Sequence, residues 1–589
     1  MTAKRRIKRR VDIEQLEKEN RIDRFMLLVA MLLLTVAPLA FRIIRVPFAS
    51  PDISNTKSVD TGIILDTFSV IKVRIVFVAV VLLLLCFLYK LFLTAYSLRF
   101  TFFDGLVLGL CVLFFLSFFM SDYKSVALFG FPNMMDGTMS HVFYCLLFLF
   151  GFHIFAKEHY ARQFLVPLYI VCGVNAVISL LNFVGVPLVD TAIIKVVLGI
   201  PAGAKATTAA AFTSTFGNIN YLSGFGGVVY AIFFARFLLL SKKGKIHWKS
   251  LIMVAASFMI VVTSLSSSGF LVFCAMTPVI IGLTMAVEFS KEKFIAVAVS
   301  LGVCAAIFIP LSIYNPVVLD ETFGMFLPAK VPVEMMVSSR DSNNNRTILQ
   351  SVNYGGRIDN SGANSTNSTS SGNMANAATY VGLAIRDEKM ASPVAAASMA
   401  MKLLNAAERE NGSRENDELI LPVFPAPAIA PGSGRLYIWE EALELIRKKP
   451  LFGYGMDTLT FAFPQFSVNK VSGQGMYNVF VTKPHNIYVG YAYGAGITSL
   501  ILFIVLIAAA AVLFFRYLIL CRKEHRTVSD LIFCFSIGWI AYLLQGLVND
   551  DLIATAPIWW SLFGVGIGLL YKEVGCKKGM DQIEKKRSL

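Results

Sequence analysis

The sequence predicts an all-α protein that crosses a membrane about twelve times and has one large extracytoplasmic loop. Of its 589 residues, 56% are hydrophobic and only 15% are charged. The mean hydropathy of +0.66 is above the range of soluble globular proteins. The apolar residues are gathered into runs of about 20, the length that an α-helix needs to cross a bilayer.

The predicted spans form two groups. A first transmembrane bundle of about nine spans covers 25–314, and three last spans cover 485–572. A short polar segment, 264–269, divides the run 251–287, so this run is either a pair of helices or a re-entrant segment. The apolar windows are 25–48, 71–96, 102–120, 139–156, 162–184, 216–240, 251–267, 269–287, 294–314, 485–515, 529–547 and 555–572.

The distribution of Lys and Arg predicts the orientation. Basic residues in short loops resist translocation and stay in the cytoplasm. They are concentrated in the tails 1–24 and 573–589 and in the loops 242–249 and 522–526, all on one side of an even number of spans. We therefore expect a multi-pass protein of the cytoplasmic (plasma) membrane with both termini in the cytoplasm. The net charge of +15 reflects this topology and contact with anionic membrane lipids, and it does not predict nucleic acid as a partner.

The segment 315–484 is predicted to be the extracytoplasmic loop. Within it, 338–376 is rich in Asn, Ser and Gly, a composition that buries too little apolar surface to fold, so we expect a mobile insert there. A short helix is predicted over 394–410 and a Pro-rich link over 422–431.

The second half of the loop contains a better-defined helix. Ser433 is positioned to cap a helix that begins near Arg435, and Pro450 closes it. Its predicted apolar face, which we expect to rest on lipid or on the spans, consists of Trp439, Ala442, Leu443 and Ile446. The aromatic residues that follow either stack on sugars or, as the more common case, anchor the chain at the membrane interface; they are Phe461, Phe463 and Phe466.

The dipeptide His485–Asn486 stands where the polar loop meets the tenth predicted span. An unperturbed imidazole has a pKa of about 6.5, so His485 is suited to act as a general base at the boundary between membrane and water. The alternative is that the ring of His485 is an interfacial helix cap that bonds a carbonyl group.

Several motifs, taken in their order along the chain, resemble the signature of the O-antigen ligase and O-antigen polymerase superfamily. Ligases of this family carry His-Asn, nine residues, Gly, two residues and then Gly, Thr or Tyr. Here His485, Asn486 and Gly496 match, whereas Ser499 stands in the last position. The other similar segments are 215–221 with its Gly-Asn-x-Asn stretch, 435–439, 450–455, 545–549 and 556–560.

This resemblance implies a membrane glycosyltransferase. Such an enzyme transfers a glycan from an undecaprenyl-diphosphate carrier to an acceptor at the outer face of the cytoplasmic membrane, as a ligase or a polymerase of surface polysaccharide. The implied partners are the lipid-linked glycan donor and a glycan, wall polymer or protein acceptor. The family's catalytic histidine corresponds to His485 and its loop arginine to Arg435. No metal or other cofactor is implied.

One departure from the family concerns the diphosphate. Many members have an arginine after the serines at 264–269, and this chain has none there. Arg42 and Arg45, three residues apart at the outer end of the first span, are predicted on one helix face, and Lys72 and Arg74 begin the second span. With Lys205 in the loop 185–215, these residues are candidate diphosphate ligands, although snorkelling to lipid phosphates is the more common explanation for Arg42, Arg45, Lys72 and Arg74.

The predicted substrate-binding set is completed by three amides, Asn486, Asn218 and Asn220. Carboxylates on the outer side are interpreted as solvated loop residues rather than metal ligands; they are Asp122, Asp136, Asp190, Asp457, Asp550 and Asp551.

Other functional classes are consistent with a basic, polytopic chain. A transporter or flippase of lipid-linked glycans is the main alternative, but such proteins place ionisable residues at the midplane and often have repeated halves, which this sequence lacks. A glycan polymerase of the shape, elongation, division and sporulation type has fewer spans. A non-enzymatic anchor or receptor would leave His485 dispensable.

Overall fold

A computed structural model describes residues 3–48, 62–94, 96–186, 188, 191–199, 214–242, 245–323, 334–340, 347–353, 434–465, 467 and 480–587. This part of the chain is almost entirely helical. Its α-helices are α1 Ala3–Leu39, α2 Ser69–Leu93, α3 Phe102–Met120, α4 Lys124–Phe129, α5 Thr138–Phe150, α6 Glu158–Ala161, α7 Leu165–Phe183, α8 Ala192–Leu198, α9 Ile219–Leu240, α10 Trp248–Thr263, α11 Ser267–Val287, α12 Lys291–Tyr314, α13 Val317–Phe323, α14 Arg435–Lys448, α15 Leu459–Ala462, α16 Ile487–Lys523, α17 Asp530–Gln545 and α18 Ala556–Arg587.

Nine helices in the described residues are long and apolar enough to cross a membrane. Two shorter apolar helices, α10 and α17, coincide with the predicted spans 251–267 and 529–547, and α18 begins where the last span was predicted. The run 251–287 is therefore two helices, α10 and α11. The chain is a multi-pass helical membrane protein, and the total of twelve spans stays a prediction.

Side-chain contacts define two ends of the helix bundle. At one end, which we call the His485 end, α16 begins beside the end of α17, where the Ile487 amide donates to the Gly546 carbonyl over 2.8 Å. At the other end, the Asp23 end, Lys90 of α2 bonds Asp23 of α1. The turns at the His485 end are therefore the ones that surround the predicted site.

Helix α9 lies at the centre of the bundle, since every residue from Tyr221 to Leu239 is buried. Small residues let its neighbours approach closely, as is usual for helices packed within a membrane. A Cβ atom added at Gly227 would lie 2.9 Å from the Gly269 carbonyl oxygen of α11, and one at Gly224 would lie 2.4 Å from the Gln545 amide of α17. This packing holds the first turn of α9 beside the ends of α11 and α17.

The first span, predicted over 25–48, extends past the end of the helix in the structure. Helix α1 stops at Leu39, and the chain continues as strand β1, Ile44–Phe48, paired antiparallel with strand β2, Gly62–Asp66. The buried Lys72 ammonium donates to the Ala37 and Pro38 carbonyls over 3.2 and 2.9 Å and also to that of Ala40. Lys72 thereby closes the end of α1, and Arg42 and Arg45 lie beyond it. The prediction that these two arginines share a helix face is therefore wrong.

Helix α16 contains a break that explains the Gly–x–x–Ser part of the sequence motif. Gly496 has φ 85°, and a Cβ atom there would lie 2.0 Å from the Leu451 carbonyl oxygen, so only glycine fits without displacement. The break frees the Tyr493 and Gly494 carbonyls, which accept the amides of Tyr454 and Gly455 over 3.0 and 2.9 Å. The loop 450–458 is thereby fixed against α16.

Ser499 stabilises the same break. Its hydroxyl donates to the carbonyls of Tyr491 and Gly496 over 3.0 and 2.8 Å. Hydroxyl groups satisfy carbonyls that a broken helix leaves without their usual amide partners. The departure of this position from the family motif therefore has a structural role.

The loop between α12 and α16 differs in detail from the prediction. Strands β3, Glu334–Arg340, and β4, Thr347–Asn353, form an antiparallel hairpin at the start of the predicted mobile insert. Helix α14 begins and ends close to the predicted limits, but its N-cap is Gly434, with no side-chain cap bond. The predicted elements 394–410 and 422–431 and the proposed cap Ser433 lie outside the described residues.

The buried face of α14 is rotated relative to the predicted apolar face. Ala442 and Ile446 are buried as expected, whereas Leu443 is exposed. The face that packs toward α16 also contains Tyr437, Ile438 and Leu445. The i, i+3, i+4, i+7 pattern identified the helix but not its orientation, because Leu443 fits the pattern without packing against the protein.

Candidate functional site

Residues 480–486 cross the His485 end of the bundle without regular secondary structure. The Pro484 carbonyl accepts the Trp439 indole N–H over 2.7 Å, which fixes the segment to α14. His485 itself has φ 53°, in the left-handed region, where a residue other than glycine is uncommon. Such a conformation persists only where the surrounding contacts impose it.

The imidazole of His485 is held by a carboxylate. Its Nδ1 lies 2.9 Å from Oδ2 of Asp550, in the turn between α17 and α18. The His485 side chain is 33% exposed and that of Asp550 only 5%. Burial alone would raise the pKa of Asp550, but the charges of His485, Lys483 and Arg435 hold it below its usual value. An ionised carboxylate only accepts hydrogen bonds, so Nδ1 carries a proton, and Nε2 is the atom that holds the lone pair whenever the ring is neutral.

The neighbouring Asn486 caps helix α16. Its side-chain oxygen accepts the amides of Tyr488 and Val489 over 2.9 and 3.0 Å, and its Nδ2 donates to the Leu547 carbonyl over 3.0 Å. Its backbone amide donates to Oδ1 of Asp550 over 3.3 Å. The cap is therefore the amide of Asn486, and the ring of His485 bonds a carboxylate and not a carbonyl.

Arg435, the first residue of α14, is half-buried and faces the same carboxylate. Burial lowers the pKa of its guanidinium, and the charge of Asp550 opposes that effect. The Tyr221 hydroxyl donates to Oδ2 of Asp550 over 3.5 Å. The first turns of α9 and α14 and the start of α16 thus converge on Asp550.

A second group of charges lies behind this pair. We call it the Lys483 cluster; it consists of Lys483, Asp136, Asp457 and Asp551, all nearly inaccessible to solvent. The Lys483 ammonium donates to Oδ2 of Asp136 over 2.7 Å and to the Asp551 carbonyl over 3.1 Å, and it lies 3.9 Å from Oδ1 of Asp457. Burial alone would lower the pKa of Lys483, but the carboxylates around it, Asp136 first, raise it above its usual value.

The three carboxyl groups of the Lys483 cluster have different surroundings. Both oxygens of Asp136 have partners, because Oδ1 accepts the Tyr144 hydroxyl over 3.0 Å. By contrast, Oδ1 of Asp457 and Oδ1 of Asp551 are buried and have no hydrogen-bond partner among the described residues. Burial raises the pKa of Asp457 to about 7, and burial with the charge of Asp136 raises that of Asp551 well above its usual value.

Burial of these groups corrects the interpretation of the outer carboxylates as solvated. Asp136, Asp550 and Asp551 are buried, and the side chain of Asp457 is almost entirely so. Asp122 does lie at the surface, in an ion pair with Lys449, and Asp190 lies outside the described residues. Loop position alone did not reveal that these segments fold back onto the helix ends.

A small cavity adjoins both groups of charges. It encloses about 40 Å³, and its lining includes Asp457, Lys483, Asn486, Asp550 and Asp551. This volume is enough for a few water molecules but too small for a sugar. A glycan would therefore have to approach the exposed edge of His485 from outside the cavity.

The predicted substrate amides of α9 lie close to this site. The Asn218 side chain caps α9 by accepting the Asn220 amide over 2.8 Å, and Oδ1 of Asn220 accepts the Ser266 hydroxyl over 2.7 Å. Asn549, next to Asp550, donates to the Asn220 carbonyl over 3.4 Å. These contacts support the fold around the site, and a role in substrate binding stays a prediction.

The described members of the predicted set of cationic ligands do not come together at the His485–Asp550 pair. Arg42, Arg45 and Arg74 are exposed, and no described contact joins any of them to His485 or Asp550. Lys72 is buried against the end of α1 instead of reaching lipid. Lys205 lies outside the described residues.

The aromatic residues after α14 have separate environments. Phe461 stacks on Tyr123 with ring centroids 4.9 Å apart. Phe463 is buried edge-on against Tyr437, and Phe466 lies outside the described residues. Of the two described rings, Phe461 is half-exposed and Phe463 is buried, so these two do not form one continuous belt or sugar platform.

The part that Asp550 and Lys483 take in this site was not predicted, since Asp550 was interpreted as a solvated loop residue and Lys483 was not singled out. One sequence signal was available for each: Asp550 lies in a pair of acids between two apolar runs, and Lys483 stands two residues before His485. Charged residues beside apolar segments are costly unless they are paired. The pairing itself required the fold, since Lys483 and Asp136 are 347 residues apart.

These features define the class of protein: a multi-pass helical membrane protein with a histidine–aspartate pair and a buried charge cluster at one end of its helices. A family model described as O-Antigen ligase matches residues 373–504. Over these residues the chain is similar to the O-antigen ligase superfamily, and the resemblance found in its motifs is confirmed there. The match includes Arg435, Lys483 and His485 and ends within α16, before Asp550. No curated protein matches the chain.

Proposed function

We propose that the protein is a glycosyltransferase of the O-antigen ligase type that takes a glycan from an undecaprenyl-diphosphate carrier and joins it to an acceptor at the outer face of the cytoplasmic membrane. The observation that carries this proposal is the His485–Asp550 pair, with Nδ1 and Oδ2 2.9 Å apart and the imidazole partly exposed. The similarity of the matched residues to the ligase superfamily supports the reaction class.

In this proposal His485 is the general base. Nε2 accepts the proton of an acceptor hydroxyl while the acceptor oxygen attacks the anomeric carbon of the donor sugar. The bond from that carbon to the diphosphate oxygen breaks, and the lipid diphosphate leaves with the bonding electrons. Asp550 holds the ring in the tautomer with Nδ1–H and stabilises the imidazolium that forms. The proton then passes from Nε2 to bulk water.

Arg435 is assigned to the diphosphate. Its guanidinium keeps its charge and binds oxyanions through two parallel N–H bonds. It is half-buried beside Asp550, so a leaving diphosphate at this position would lie close to the base. Arg42, Arg45, Arg74 and Lys205 stay candidates for a second diphosphate contact, and Asn218, Asn220 and Asn486 stay candidates for contacts with the substrate.

The orientation of the chain is part of the proposal. The site would face the outer leaflet, and both termini would be cytoplasmic, because the basic tails and short basic loops lie on the opposite side of the spans. A ligase would join a finished chain to a different acceptor, whereas a polymerase would join repeat units to one another. Sizing the surface glycans of a deletion strain separates these two cases: surviving single repeats indicate a polymerase, and complete chains left on the carrier indicate a ligase.

The test of the base replaces His485 with Asn, which tolerates a left-handed φ and lacks a base. We expect glycan transfer in the deletion strain to fall at least ~100-fold at matched protein levels. His525→Asn is the matched control, because His525 has a similar φ of 50° and an exposed position in the loop between α16 and α17. Normal transfer by the His485 variant would exclude the proposed base, and an equal loss in both variants would indicate a folding defect.

A further inference from the structure

The Lys483 cluster has more acidic groups than one ammonium can neutralise. The Lys483 ammonium lies against the carboxyl groups of Asp136 and Asp457 and bonds the backbone carbonyl of Asp551, whose own carboxyl group is the third acid of the cluster. The other basic side chains nearby, His485 and Arg435, face Asp550 instead. If all three carboxyl groups were ionised, the buried site would carry two uncompensated negative charges. Uncompensated charge in a buried site is strongly disfavoured, and a carboxyl group there takes up a proton instead.

The hydrogen bonds indicate which oxygens hold a proton. Both oxygens of Asp136 accept hydrogen bonds from donors, one of them the Lys483 ammonium, so Asp136 is the ionised partner of Lys483. Oδ2 of Asp457 accepts the amides of Phe131 and Asp136 over 2.7 and 3.2 Å, which leaves its Oδ1 as the position for a proton. The raised pKa of Asp457, about 7, agrees with this geometry.

Asp551 is the second position for a proton. Its Oδ2 accepts the Tyr491 hydroxyl over 3.5 Å, and its Oδ1 has no partner among the described residues. His141 lies between Asp136 and Asp551, 3.9 Å from an oxygen of each. Its Nδ1 donates to the Gly137 carbonyl over 3.1 Å, so in the neutral ring it is Nε2 that faces Asp551.

The Lys483 cluster is connected directly to the proposed base. Lys483 precedes His485 by two residues, and its ammonium donates to the backbone carbonyl of Asp551, the residue after Asp550. The Lys483 side chain therefore holds together the two chain segments that carry His485 and Asp550. Movement of Lys483 would displace the two partners relative to each other.

We propose that the Lys483 cluster is a proton-holding anchor that positions His485 against Asp550, and that this pair keeps its geometry only while the carboxyl groups of the cluster retain at least one proton. Loss of the last of these protons places unscreened negative charges next to one another around Lys483, and the segments 455–458, 480–486 and 549–552 separate. Lys483 is a positioning residue in this scheme and does not contact the substrate. The effect on glycan transfer rests on the proposed function, whereas the effect on the His485–Asp550 pair does not.

The first test follows the imidazole itself. Full-length protein in detergent is treated with diethyl pyrocarbonate at a series of pH values, and modification of His485 and His525 is quantified by peptide mass spectrometry. A ring held by a carboxylate through Nδ1 is the stronger nucleophile at Nε2. We expect the ratio of the His485 rate to the His525 rate to fall by about threefold or more as the cluster loses its proton between roughly pH 6.5 and pH 9. A constant ratio in the wild-type protein would overturn the proposal.

Two carboxyl variants sharpen this test. Asp457→Asn places an NH₂ donor where a proton on Oδ1 would be and keeps an oxygen for the two amides, so it imitates the protonated cluster, and its ratio should stay high at alkaline pH. Asp136→Asn removes the ionised partner of Lys483, and its ratio should be low at every pH. A wild-type pH dependence in the Asp457 variant would contradict the proposal.

The second test measures glycan transfer on spheroplasts, whose own lipid-linked glycan is the donor and whose outer face takes the pH of the buffer. We expect transfer to decline at alkaline pH in the wild type and to decline less in Asp457→Asn. If the reactivity ratio behaves as expected but no transfer occurs in the wild type, the anchor stands and the proposed function fails. If transfer occurs with the same alkaline decline in both proteins, the anchor fails and the proposed function stands.

Discussion

At the Asp23 end of the bundle, buried cations are matched with acceptors, whereas at the His485 end carboxyl groups outnumber cations. Lys90 pairs with Asp23, and Arg236 of α9 pairs with Asp530 of α17 over 3.0 Å. Lys293 donates to the carbonyls of Leu238 and Leu239 at the end of α9. The Lys483 cluster instead has three carboxyl groups around one ammonium, two of them with an oxygen that lacks a partner in the described residues.

The difference separates charges that hold helices together from charges that, in the proposed function, lie beside the reacting groups. A matched ion pair between helices stabilises their packing because every donor and acceptor in the pair has a partner. An unmatched buried group has a shifted pKa and a strained surrounding, and such groups concentrate at functional sites. The left-handed backbone of His485, φ 53°, is an example of such strain beside unmatched groups.

The largest expected effect is on activity at the His485 end. Asp550→Asn removes the carboxylate that selects the tautomer of His485, so we expect transfer to fall by roughly 10³ to 10⁴ while the protein still inserts. The control is Asp530→Asn at the Asp23 end, which removes the acidic partner of a buried arginine and should leave transfer per folded molecule unchanged. Equal activities of the two variants would remove the distinction between the two ends.

Next in size is a loss of stability without a loss of chemistry. Asp23→Asn leaves the buried Lys90 without its carboxylate partner, which costs about 3–5 kcal/mol for a buried pair. Denaturant titration in detergent micelles should detect this decrease in the free energy of unfolding. Transfer per folded molecule should stay at the wild-type level, and a selective loss of turnover would show that the Asp23 end also serves the reaction.

The pH dependence of stability distinguishes the ends without any substrate. Folding raises the pKa of Asp457 to about 7, so the folded state binds its proton more tightly than the unfolded state does. That contribution is fully present below the unfolded pKa of about 3.9 and is lost as pH rises through about 7. We expect the melting temperature to fall between about pH 5 and pH 8 in the wild type and to fall less in Asp457→Asn. Parallel curves would show that Asp457 does not bind the proton.

The smallest effect concerns a surface pair on the same side as the site. Lys449 and Asp122 lie 3.0 Å apart with side chains 37% and 56% exposed, and an exposed pair contributes about 0–1 kcal/mol. Lys449→Met should therefore change neither transfer nor the melting temperature appreciably. A large loss of transfer in this variant would show that the site extends over the surface beside α14.

The sequence predicted the helices well but not the way in which they end. Runs of apolar residues identified the spans because hydropathy reports directly on burial in lipid, and they failed at 40–48, where the closing of α1 depends on Lys72 from another helix. The family motif indicated His485 and Gly496, with Ser499 as a departure at its last position. The break at Gly496 is what gives that spacing a physical meaning.

The candidate site, like the helix ends, could be predicted only in part, because it depends on contacts between separate segments. His485 and Arg435 were found from motifs, and the structure brings both beside Asp550. Lys483 bonds Asp136, 347 residues away, and the Asp551 carbonyl, 68 residues away, and no local pattern records which acids fold inward. Their association is a property of the tertiary packing of the helix ends.

The burial of α9 has a consequence for biogenesis. This helix packs against α10 and α11, which follow it at once, and against α17, which begins 294 residues after the Arg236 side chain that it neutralises. A ribosome that has inserted α9 must therefore synthesise the entire polar loop before the last neighbour of α9 exists. Until then one flank of α9, with its arginine, has to be covered by lipid or by an insertase, and chains that terminate before Asp530 would be substrates for membrane proteolysis.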